Sequence, residues 1–455
     1  MSSQIIPPQK PLTRFITDDT DCWQLAPYQS HGGYDGLKKA LTMKPAEVLE
    51  EIKASNLRGR GGAGFPTGLK WSFVPNGEDA PKTKYIIVNA DEMEPGAFKD
   101  RWLLEKTPHQ ILEGLILGGY TIGATTGYVF IRGDYYLGIE RIEKAIKECY
   151  QQGILGKNIL DSGFDFDVLV HTSAGRYICG EETALINSLE GKRAVPRAKP
   201  PFPQVAGLWG KPTVVNNVET YCNLPHIINF GSDWYKNLGL HKDAGTKIFG
   251  VSGRVKNPGL WELPMGTTIR EIIEKHAGGM VEGYQLRGFL PGGGSTDFLT
   301  PNHLDTPMDY DEIGKLKSRM GTGTIIVLDH KFCPVEMVLN LVKFFAQESC
   351  GWCTPCREGL PWGVELLERI ENGTGDASDI HQLEALTRFA GPGNTYCALA
   401  PGAVEPLQSA LNYFKDDFET HIQLKRCPYK DHDRSPFDSH DNSLGADNSS
   451  GGHHE

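Results

Sequence analysis

Four cysteines in the C-terminal third of the chain have the most specific spacing in the sequence. Cys350, Cys353 and Cys356 form a C-x₂-C-x₂-C run, and Cys397 follows at a distance. Three thiolates on one tight loop and one remote thiolate are typical of the ligands of a [4Fe–4S] cluster. A structural zinc site usually combines two C-x₂-C pairs, and the second pair is missing here. The spacing therefore predicts an iron–sulfur cluster and leaves zinc as the less favoured alternative.

Six further cysteines do not share this spacing. They are Cys22, Cys149, Cys179, Cys222, Cys333 and Cys427. The first residues contain no apolar stretch typical of a secretory signal, so a disulfide framework is not expected. Cys333 and Cys427 lie near the run but have no partner at ligand spacing. We interpret them as buried or idle thiols, and Cys179 as a packed thiol beside the proposed nucleotide site.

A glycine-rich loop between residues 57 and 71 reads LRGRGGAGFPTGLKW and contains the pattern G-x-G-x-x-G. A dinucleotide-binding loop of the usual kind follows a strand and opens a helix. Here the residues before the loop have helical spacing, and the first strong strand comes afterwards, at 84–90. A simple glycine turn between two elements is therefore an alternative to a nucleotide site.

The composition of this loop favours a ligand site over a simple turn. Five glycines within ten residues let the backbone approach a bound molecule, and successive N–H groups can hold a phosphate. Flat apolar rings offer a surface for stacking, and basic side chains add positive charge. These side chains are Arg58, Arg60, Lys70, Phe65, Trp71 and Phe73. The loop could thus recognise both a phosphate and a ring, as a flavin mononucleotide or a dinucleotide requires.

Three polar clusters further along the chain could contact a nucleotide. They are Asp91, Glu92 and Glu94; Glu181 and Glu182; and Asn216, Asn217 and Thr220. Carboxylates accept hydrogen bonds from ribose hydroxyls and repel a 2′-phosphate, which favours NADH over NADPH. The asparagines could read the polar edge of a flavin. A solvated acidic turn and a helix cap are the alternatives.

The order of predicted strands and helices divides the chain into an α/β domain, an α+β module and a helical domain. Strands at 84–90, 128–132 and 165–171 alternate with helices, as in a domain with a largely parallel sheet. A β-β-α-β order and then helical periodicity follow. The boundaries we predict are 1–240, 245–330 and 334–429, with a polar, disordered tail at 430–455.

Two classes of partner are disfavoured by the sequence. The net charge of −11 argues against binding to nucleic acid. Residues 111–131 are apolar enough to resemble a membrane span, but Glu113 and several glycines interrupt them. We interpret this segment as a buried helix followed by a core strand, and we expect no direct membrane insertion.

A flavin-type site and a cubane cluster on one chain indicate an electron-transfer reaction. A nicotinamide gives two electrons as a hydride, a cubane accepts one at a time, and a flavin can do both. Hydride transfer between rings needs stacking and position rather than a protein acid or base. We therefore predict an enzyme without a catalytic acid or base. A zinc-stapled, nucleotide-sensing scaffold without turnover is the alternative of another class.

Together these motifs resemble the NADH-binding flavoprotein subunits of respiratory complex I, the 51-kDa type, in their bacterial form. The resemblance extends from about Trp23 to Phe418 and rests on GRGGAGFPTGLKW, NADEMEPGAFKDR, GRYICGEETALINSLEG, KPPFP, GKPTVVNNVET and ESCGWCTPCREG. It implies NADH:quinone oxidoreductase activity with FMN, a [4Fe–4S] cluster and NAD(H) as substrate. The nearest alternative is a diaphorase subunit of an NAD-linked hydrogenase or formate dehydrogenase, although those often carry further cysteine-rich regions.

The resemblance also implies roles for individual positions. The FMN cavity would be formed by Gly59, Arg60, Gly61, Gly62, Lys70, Asn89, Asp91, Glu92, Tyr177, Gly180, Glu181, Glu182, Asn216, Asn217 and Thr220. NADH would stack through Phe65, Phe73 and Phe202, with Lys199 near the adenosine and with Glu94 and Glu182 near the nicotinamide or its ribose. The cluster ligands would be Cys350, Cys353, Cys356 and Cys397.

The fold implied by the resemblance is a Rossmann-like FMN- and NADH-binding domain, a ubiquitin-like β-grasp module and a C-terminal helical bundle that carries the cluster. The implied partners are a thioredoxin-like [2Fe–2S] subunit and the large iron–sulfur subunit of complex I. The implied location is cytoplasmic, peripheral on the cytoplasmic side of the inner membrane, where the complex would hold the chain.

Overall fold

The structure is a computed structural model that describes residues 7–16 and 21–430. The predicted tail lies outside these residues, apart from Lys430. Three short helices come first: α1 (Leu25–Ser30), α2 (Asp35–Leu41) and α3 (Pro45–Ala54). The carboxylate of Glu47 accepts a hydrogen bond of 2.8 Å from the backbone N–H of Lys44, which caps α3. The glycine loop follows α3, as its sequence context predicts, and leads into a short helix that was not predicted, α4 (Thr67–Ser72).

A four-stranded parallel sheet organises the first half of the chain. Its strands are β1 (Tyr85–Ala90), β2 (Thr126–Arg132), β3 (Asp167–Ser173) and β4 (Thr213–Asn217), in the order β3-β2-β1-β4. The helices around it are α5 (Lys99–Lys106), α6 (Pro108–Ile122), α7 (Tyr136–Gln151), α8 (Glu182–Leu189), α9 (Pro203–Ala206), α10 (Val218–Phe230) and α11 (Ser232–Lys236). The predicted α/β architecture with a parallel sheet is confirmed. Because the strands are parallel, Asn89 and Asn217 pair at the same carboxyl edge.

The two faces of this sheet pack against different parts of the molecule. Ile86 and Val88 of β1 belong to a core shared with α6 and α10. Ile87, between them, points to the opposite face because side chains alternate along a strand. There it belongs to a core that contains Phe345 and Leu360 from the C-terminal helices. The helical part therefore packs directly on the sheet that carries the polar clusters.

The apolar segment 111–131 is a buried helix followed by a strand, as predicted. It spans most of α6 and β2. The buried carboxylate of Glu113 accepts hydrogen bonds from Tyr28 Oη at 2.6 Å and from the backbone N–H of Tyr34 at 2.8 Å. These bonds offset the cost of burying the charge. Among the described residues, no helix is long and apolar enough to cross a bilayer.

A second sheet follows and mixes parallel with antiparallel pairing. Its strands are β5 (Thr246–Ser252), β6 (Gly259–Pro264), β7 (Leu286–Leu290) and β8 (Thr324–Asp329), in the order β6-β5-β8-β7. The predicted hairpin is the antiparallel pair β5–β6, and β5 runs parallel to β8. The helix predicted from Thr268 is a short π-helical turn, Glu271–His276, and α12 (Tyr310–Lys315) precedes β8.

Six helices form the C-terminal part. They are α13 (Pro334–Glu348), α14 (Thr354–Arg357), α15 (Gly359–Glu371), α16 (Ala377–Phe389), α17 (Leu399–Tyr413) and α18 (Lys415–Leu424). Val338 of α13, Leu366 of α15 and Leu407 of α17 meet in one buried core. Helix α13 ends at Glu348, and the cysteine run begins two residues later. The loop with the three cysteines therefore lies at the C-terminal end of a well-packed helix.

Candidate functional site

The glycine loop turns back on itself and lies against the carboxyl edge of the first sheet. The N–H of Gly59 donates to the carbonyl of Phe65 at 2.9 Å, which closes the turn. Gly64 has a φ of 64°, a conformation that favours glycine. A Cβ on Gly61 would lie 3.0 Å from Cβ of Asn217, and one on Gly64 would lie 2.5 Å from the ring of Tyr310. Glycine is needed here because the loop is held between β4 and the second module.

A cleft opens beside this loop and has two connected parts. The larger part has a volume of about 860 Å³ and the smaller about 270 Å³, and both are bordered by Gly61, Ala63, Asn89, Gly180 and Asn217. The volume of the larger part is within the usual range of small-molecule sites, about 300–1,000 Å³. All the predicted FMN and NADH residues line one of the two parts, except Arg60 and Lys199. The structure thus brings together residues that are far apart in the sequence.

Three phenylalanine rings border the larger part of the cleft. Phe65, Phe73 and Phe202 are 47%, 51% and 53% exposed, and the centroids of Phe65 and Phe73 lie 6.4 Å apart. Large apolar side chains grouped at a concave surface are typical of ligand sites. Trp71, which the sequence also suggested as a stacking ring, is fully buried, and its indole N–H donates to Asn216 Oδ1 at 2.9 Å. That expectation was wrong, because the helical spacing of α4 turns Trp71 into the core.

Two lysines form ion pairs with the acidic residues at the start of α8. Lys70 Nζ lies 2.9 Å from Glu182 Oε2, and Lys199 Nζ lies 3.0 Å from Glu182 Oε1 and 3.3 Å from Glu181 Oε1. Burial raises the pKa of Glu182, but the two ammonium groups outweigh it and the pKa is lowered overall. Glu181 also caps α8, because its Oε2 accepts from the backbone N–H of Thr183 at 2.9 Å. Lys199 therefore acts at the rim of the cleft through Glu181 and Glu182.

A half-buried carboxylate, Glu94, and a half-buried tyrosine, Tyr177, lie in the smaller part of the cleft. Glu94 Oε2 accepts a hydrogen bond of 2.9 Å from Tyr177 Oη, and Glu94 Oε1 accepts one of 2.7 Å from the backbone N–H of Ser295. Burial raises the pKa of Glu94 and of Tyr177. Ser295 belongs to the segment between β7 and β8. The second module therefore forms one wall of the site, which sequence reasoning did not predict.

Asp91, which lines the cleft, has one carboxylate oxygen that accepts no hydrogen bond from the described residues. Its Oδ1 accepts a hydrogen bond from Ser173 Oγ, while its buried Oδ2 accepts none from the described residues. Burial raises the pKa of Asp91 to about 6. A buried acceptor without a partner costs free energy. A ligand N–H or O–H donor at this position would supply the missing hydrogen bond.

The side chains of two arginines in the glycine loop bond to other parts of the protein and do not line the cleft. The guanidinium of Arg60 is fully buried and donates to the carbonyl of Ala244 at 2.8 Å. Arg58 pairs with Asp243 at 3.1 Å, so neither arginine brings positive charge to the cleft. The physical reason is that both side chains tie the loop to the segment just before the second sheet. The expected contribution of Arg58 and Arg60 to phosphate binding through their side chains is therefore wrong.

Three other predicted residues line the cleft, but some of their polar atoms form hydrogen bonds with neighbouring protein groups. Glu92 accepts from the backbone N–H groups of Asp100 and Arg101, both at 3.0 Å, and so caps α5. Burial and the nearby Asp100 raise the pKa of Glu92 to about 7. Thr220 Oγ1 accepts from the backbone N–H of Arg60 at 2.9 Å. Asn216 accepts from the indole of Trp71, as described above. These contacts fix the walls of the cleft.

A buried ionic network that borders the smaller part of the cleft at Lys99 and Asp100 was not predicted from the sequence. Lys99 Nζ lies 2.7 Å from Asp100 Oδ1 and 2.8 Å from Glu219 Oε2, and Lys247 Nζ lies 3.0 Å from the same Glu219 oxygen. Burial raises the pKa of Glu219, but the lysines dominate and lower it to about 2. Asn217 Nδ2 donates to Asp100 Oδ2 at 2.6 Å, which connects the network to the cleft. The only sequence signal is FKDR directly after the first acidic cluster.

The four predicted cluster ligands come together at one place. Cys350 and Cys353 lie on the loop after α13, Cys356 lies on α14, and Cys397 precedes α17. All four belong to the core on the second face of the first sheet. Burial and the neighbouring thiols Cys353 and Cys350 raise the pKa of Cys356, to about 11, despite a hydrogen bond with Ser349. Four converging thiols are the donor set that a [4Fe–4S] cluster requires, so these residues fit that group.

The thiol site and the cleft share a wall. Cys397 lines the smaller part of the cleft together with Ala398 and Leu399. The same part is lined by Glu94 and Tyr177 on its other side. A ligand in the smaller part of the cleft would therefore lie beside Cys397, one of the four thiols. Close spacing of this kind is what electron transfer between two bound groups needs.

Three stretches of the chain match known protein families. Residues 52–226 match the "Nuo51 FMN-binding domain", and 336–421 match the "NADH-ubiquinone oxidoreductase-F iron-sulfur binding region". Residues 248–298 match the "SLBB domain". The first stretch contains the glycine loop and the first sheet, and the second contains the four thiols. The boundaries thus coincide with the two sites seen in the structure.

Relatives that cover nearly the whole chain are the F subunits of NADH-quinone oxidoreductases. Those of Salmonella typhimurium and Escherichia coli are each 56% identical over 418 residues, which are 92% of this chain and 94% of the relative. That of Streptomyces coelicolor is 45% identical and covers 92% of both chains.

Among solved structures, a chain of an NAD⁺-reducing [NiFe]-hydrogenase in the H₂-reduced state is similar, with a TM-score of 0.77 and 32% identity. The match covers 87% of this chain and 65% of the hydrogenase chain.

Proposed function

The chain belongs to the family of the F subunits of NADH-quinone oxidoreductases, and from this premise we propose that it oxidises NADH with FMN and delivers the electrons singly to a [4Fe–4S] cluster. The observation that carries this proposal is the wall that the cleft shares with the four thiols at Cys397. When bound, FMN accepts a hydride from a nicotinamide and a [4Fe–4S] cluster carries single electrons. The chain's own residues bind, orient and separate these groups.

The backbone of the glycine loop and the polar residues at the sheet edge would hold FMN. Gly61 and Asn217 border both parts of the cleft, so a flavin held against them could reach from one part into the other. Asp91 Oδ2 offers a free buried acceptor to a ligand donor. Glycine lets the loop backbone approach a phosphate closely. Arg60 supports this function by fixing the loop from behind, through its buried contacts.

The exposed rings and the acidic pair would hold NADH. Phe65, Phe73 and Phe202 offer flat apolar surfaces to the rings of the substrate. Glu181 and Glu182 would accept from ribose hydroxyls and repel a 2′-phosphate, so we propose that NADH is preferred over NADPH. No residue needs to act as acid or base, because hydride transfer depends on the stacking and distance of the rings.

Cys350, Cys353, Cys356 and Cys397 would ligate the cluster. Arg193 donates to the carbonyl of Cys350 at 2.9 Å, and Ser349 Oγ lies 3.1 Å from Cys356 Sγ. Hydrogen bonds to the ligand loop are among the features that set the potential of such clusters. These two side chains would therefore tune the electron affinity of the bound group.

Three structural domains would divide this work. We place the FMN- and NADH-binding domain at 1–240, a ubiquitin-like β-grasp module at 245–330 and a helical [4Fe–4S] bundle at 334–429. The strand order β6-β5-β8-β7, with β5 parallel to β8, supports the β-grasp assignment. The common core of α13, α15 and α17 supports the helical domain.

Membership of this family implies that the chain works in a complex with other proteins. The partners we propose are a thioredoxin-like [2Fe–2S] subunit and the large iron–sulfur subunit, at the cytoplasmic side of the membrane. The similarity to the hydrogenase chain favours a second candidate, the diaphorase subunit of an NAD⁺-reducing hydrogenase. Both candidates use the same chemistry at the cleft.

A comparison of two nucleotides tests the proposal on the purified chain with both cofactors. Ferricyanide reduction should have a kcat/KM for NADH that is at least tenfold that for NADPH. If the sample contains little flavin, FMN is added before the measurement. A protein that is loaded with FMN and iron and reduces no ferricyanide with NADH would refute the proposed function.

A further inference from the structure

A second group of metal-ligand side chains lies at the far end of the helical part. Cys333, Glu371, His421 and Cys427 are all buried, and their ligand atoms lie within 4.8 Å of one another. Cys333 caps the N-terminus of α13, whereas the four thiols described above follow its C-terminus. Helix α13 has 15 residues, which separates the two groups by about 22 Å. The group is therefore distinct from the iron–sulfur site.

The distances inside this group match the edges of a tetrahedron. Cys333 Sγ lies 3.3 Å from His421 Nε2 and 3.4 Å from Glu371 Oε2, and His421 Nε2 lies 3.2 Å from Glu371 Oε2. For a zinc ion with metal–sulfur bonds of about 2.3 Å and metal–nitrogen or –oxygen bonds of about 2.0–2.1 Å, neighbouring ligand atoms are about 3.3–3.8 Å apart. Cys333, Glu371 and His421 are thus already arranged as three ligands of one ion would be, and the thiol of Cys427 lies within 4.8 Å of their ligand atoms.

Hydrogen bonds around the group hold His421 and Cys333 in states that suit the binding of a cation. His421 Nδ1 lies 2.6 Å from the carbonyl of Asp417. A carbonyl only accepts, so Nδ1 carries the proton and Nε2 is directed at the group, as in histidines that bind zinc. The backbone N–H of Glu336 donates to Cys333 Sγ at 3.4 Å, a bond that stabilises a thiolate.

We propose that Cys333, Glu371, His421 and Cys427 bind one Zn²⁺ ion. Two thiolates, one imidazole and one carboxylate form a closed tetrahedral set, which is typical of a structural site. Binding displaces one proton from each thiol, and no electron is transferred. The ion would connect the start of α13, the end of α15 and α18 with the segment after it. It would clamp α13, whose C-terminal end leads into the loop with Cys350 and Cys353, to α15 and α18. This inference does not depend on the proposed NADH oxidation.

Metal content of the full chain, purified with its cofactors, is the first test. Cells are grown with added zinc, and the protein is dialysed against EDTA before mass spectrometry of metals. We expect one zinc per chain in addition to the iron. Zinc that EDTA removes completely would be an adventitious ion only and would overturn the proposal.

X-ray absorption at the zinc edge identifies the ligands in the wild-type protein. The proposed site predicts two sulfur ligands at about 2.3 Å and two nitrogen or oxygen ligands at about 2.0–2.2 Å. A shell of four sulfurs would place the zinc among Cys350, Cys353, Cys356 and Cys397 and would contradict the proposal. This measurement does not depend on whether any variant folds.

Two variants test whether Cys333 and Cys427 are ligands of the zinc. Cys427→Ala and Cys333→Ala should lose the zinc and keep the iron. Cys222→Ala is the matched control, since it removes a fully buried thiol in α10 and should keep both metals. A stronger chelator that strips the zinc left after EDTA dialysis should lower the thermal unfolding midpoint of the control and of the wild type, but not of Cys427→Ala. Zinc that persists in Cys427→Ala and Cys333→Ala would refute the assignment.

Discussion

Lys70 Nζ lies 2.9 Å from Glu182 Oε2, so the helix after the glycine loop is joined to the helix after the second acidic pair. Lys70 also donates to the carbonyl of Val215 at 2.8 Å, which ties both helices to β4. The pair is held by Lys199 from the other side. The acidic pair therefore has a fixed position at the rim of the cleft, and the proposed preference for NADH depends on this position.

Glu182→Gln should weaken the discrimination against NADPH. The resemblance assigns Glu182 to the nicotinamide or its ribose, but its carboxylate also pairs with Lys199, the residue assigned to the adenosine, so it can act on a 2′-phosphate there. A carboxylate near a 2′-phosphate repels it by about 1 kcal/mol in a solvated site, so its removal should raise the kcat/KM ratio of NADPH to NADH about fivefold. The measurement is steady-state ferricyanide reduction at low ionic strength. Glu274→Gln, an exposed change in the second module, serves as the control. An unchanged ratio in Glu182→Gln would show that this carboxylate does not face the adenosine ribose.

Phe73→Ala should weaken NADH binding without unfolding the protein. The ring is half-exposed, so the midpoint of thermal unfolding should hardly change. Loss of a stacking partner costs about 0.5–1.5 kcal/mol, which corresponds to a rise in KM of about two- to tenfold. Phe73→Tyr keeps the ring and should keep the KM. Equal KM values for wild type and Phe73→Ala would exclude stacking at this position.

Glu219→Gln should strongly destabilise the fold. It leaves the buried ammonium groups of Lys99 and Lys247 without their shared carboxylate, which costs about 3–5 kcal/mol. The pKa of Glu219 is lowered to about 2, below the value of about 4.3 in an unfolded chain. Its contribution is therefore complete above pH 4.3 and is lost as pH falls toward 2.

Calorimetry measures the unfolding midpoint of Glu219→Gln, and Glu312→Gln is the control. Glu312 pairs with lysines at the surface, so its loss should leave the unfolding midpoint unchanged. A midpoint for Glu219→Gln equal to that of the control would show that the buried network contributes little.

Asp91→Asn should change the pH dependence of stability. Burial raises the pKa of Asp91 to about 6, from about 3.9 in an unfolded chain. Between pH 4 and 6 the folded state thus holds a proton that the unfolded state has released. As pH rises through this window, the free energy of unfolding of the wild type falls by up to about 3 kcal/mol. Asp91→Asn has no such loss, so its stability relative to the wild type should rise from pH 4 to pH 7. A constant difference would mean that Asp91 is ionised throughout.

Cys397→Ala should separate the two halves of the reaction. The variant should lose iron and the electron paramagnetic resonance signal of the reduced cluster, while NADH still bleaches its flavin band. Cys179→Ala is the control, because this buried thiol lies in the same core and has no proposed ligand role. A full cluster in Cys397→Ala would remove Cys397 from the set of ligands.

The sequence predicts those parts of the site that are local in the chain. The glycine loop, the acidic clusters and the cysteine run can be found because each lies within a few residues. The direction of a side chain is harder to predict. Arg60 and Trp71 look like ligand residues in the loop, yet both are buried because their surroundings offer carbonyls, Tyr235 and an apolar core.

Long-range contacts are the parts that the sequence did not reveal. Ser295 reaches Glu94 across about two hundred residues, and Cys333 meets His421 and Cys427 only because α13, α15 and α18 pack together. Cys333 and Cys427 were expected to be idle. They are buried, as expected, but they belong to a group whose members have no regular spacing, so only the fold brings them together.

One anaerobic experiment tests most directly whether NADH reduces the flavin and the cluster. It uses the purified chain, fully loaded with FMN and iron. NADH is added, and the visible spectrum and the electron paramagnetic resonance spectrum are recorded on the same sample. We expect the flavin band to bleach and the signal of a reduced [4Fe–4S] cluster to appear, whereas NADPH at the same concentration should have little effect. A fully loaded protein whose flavin and cluster both stay oxidised with NADH would contradict it.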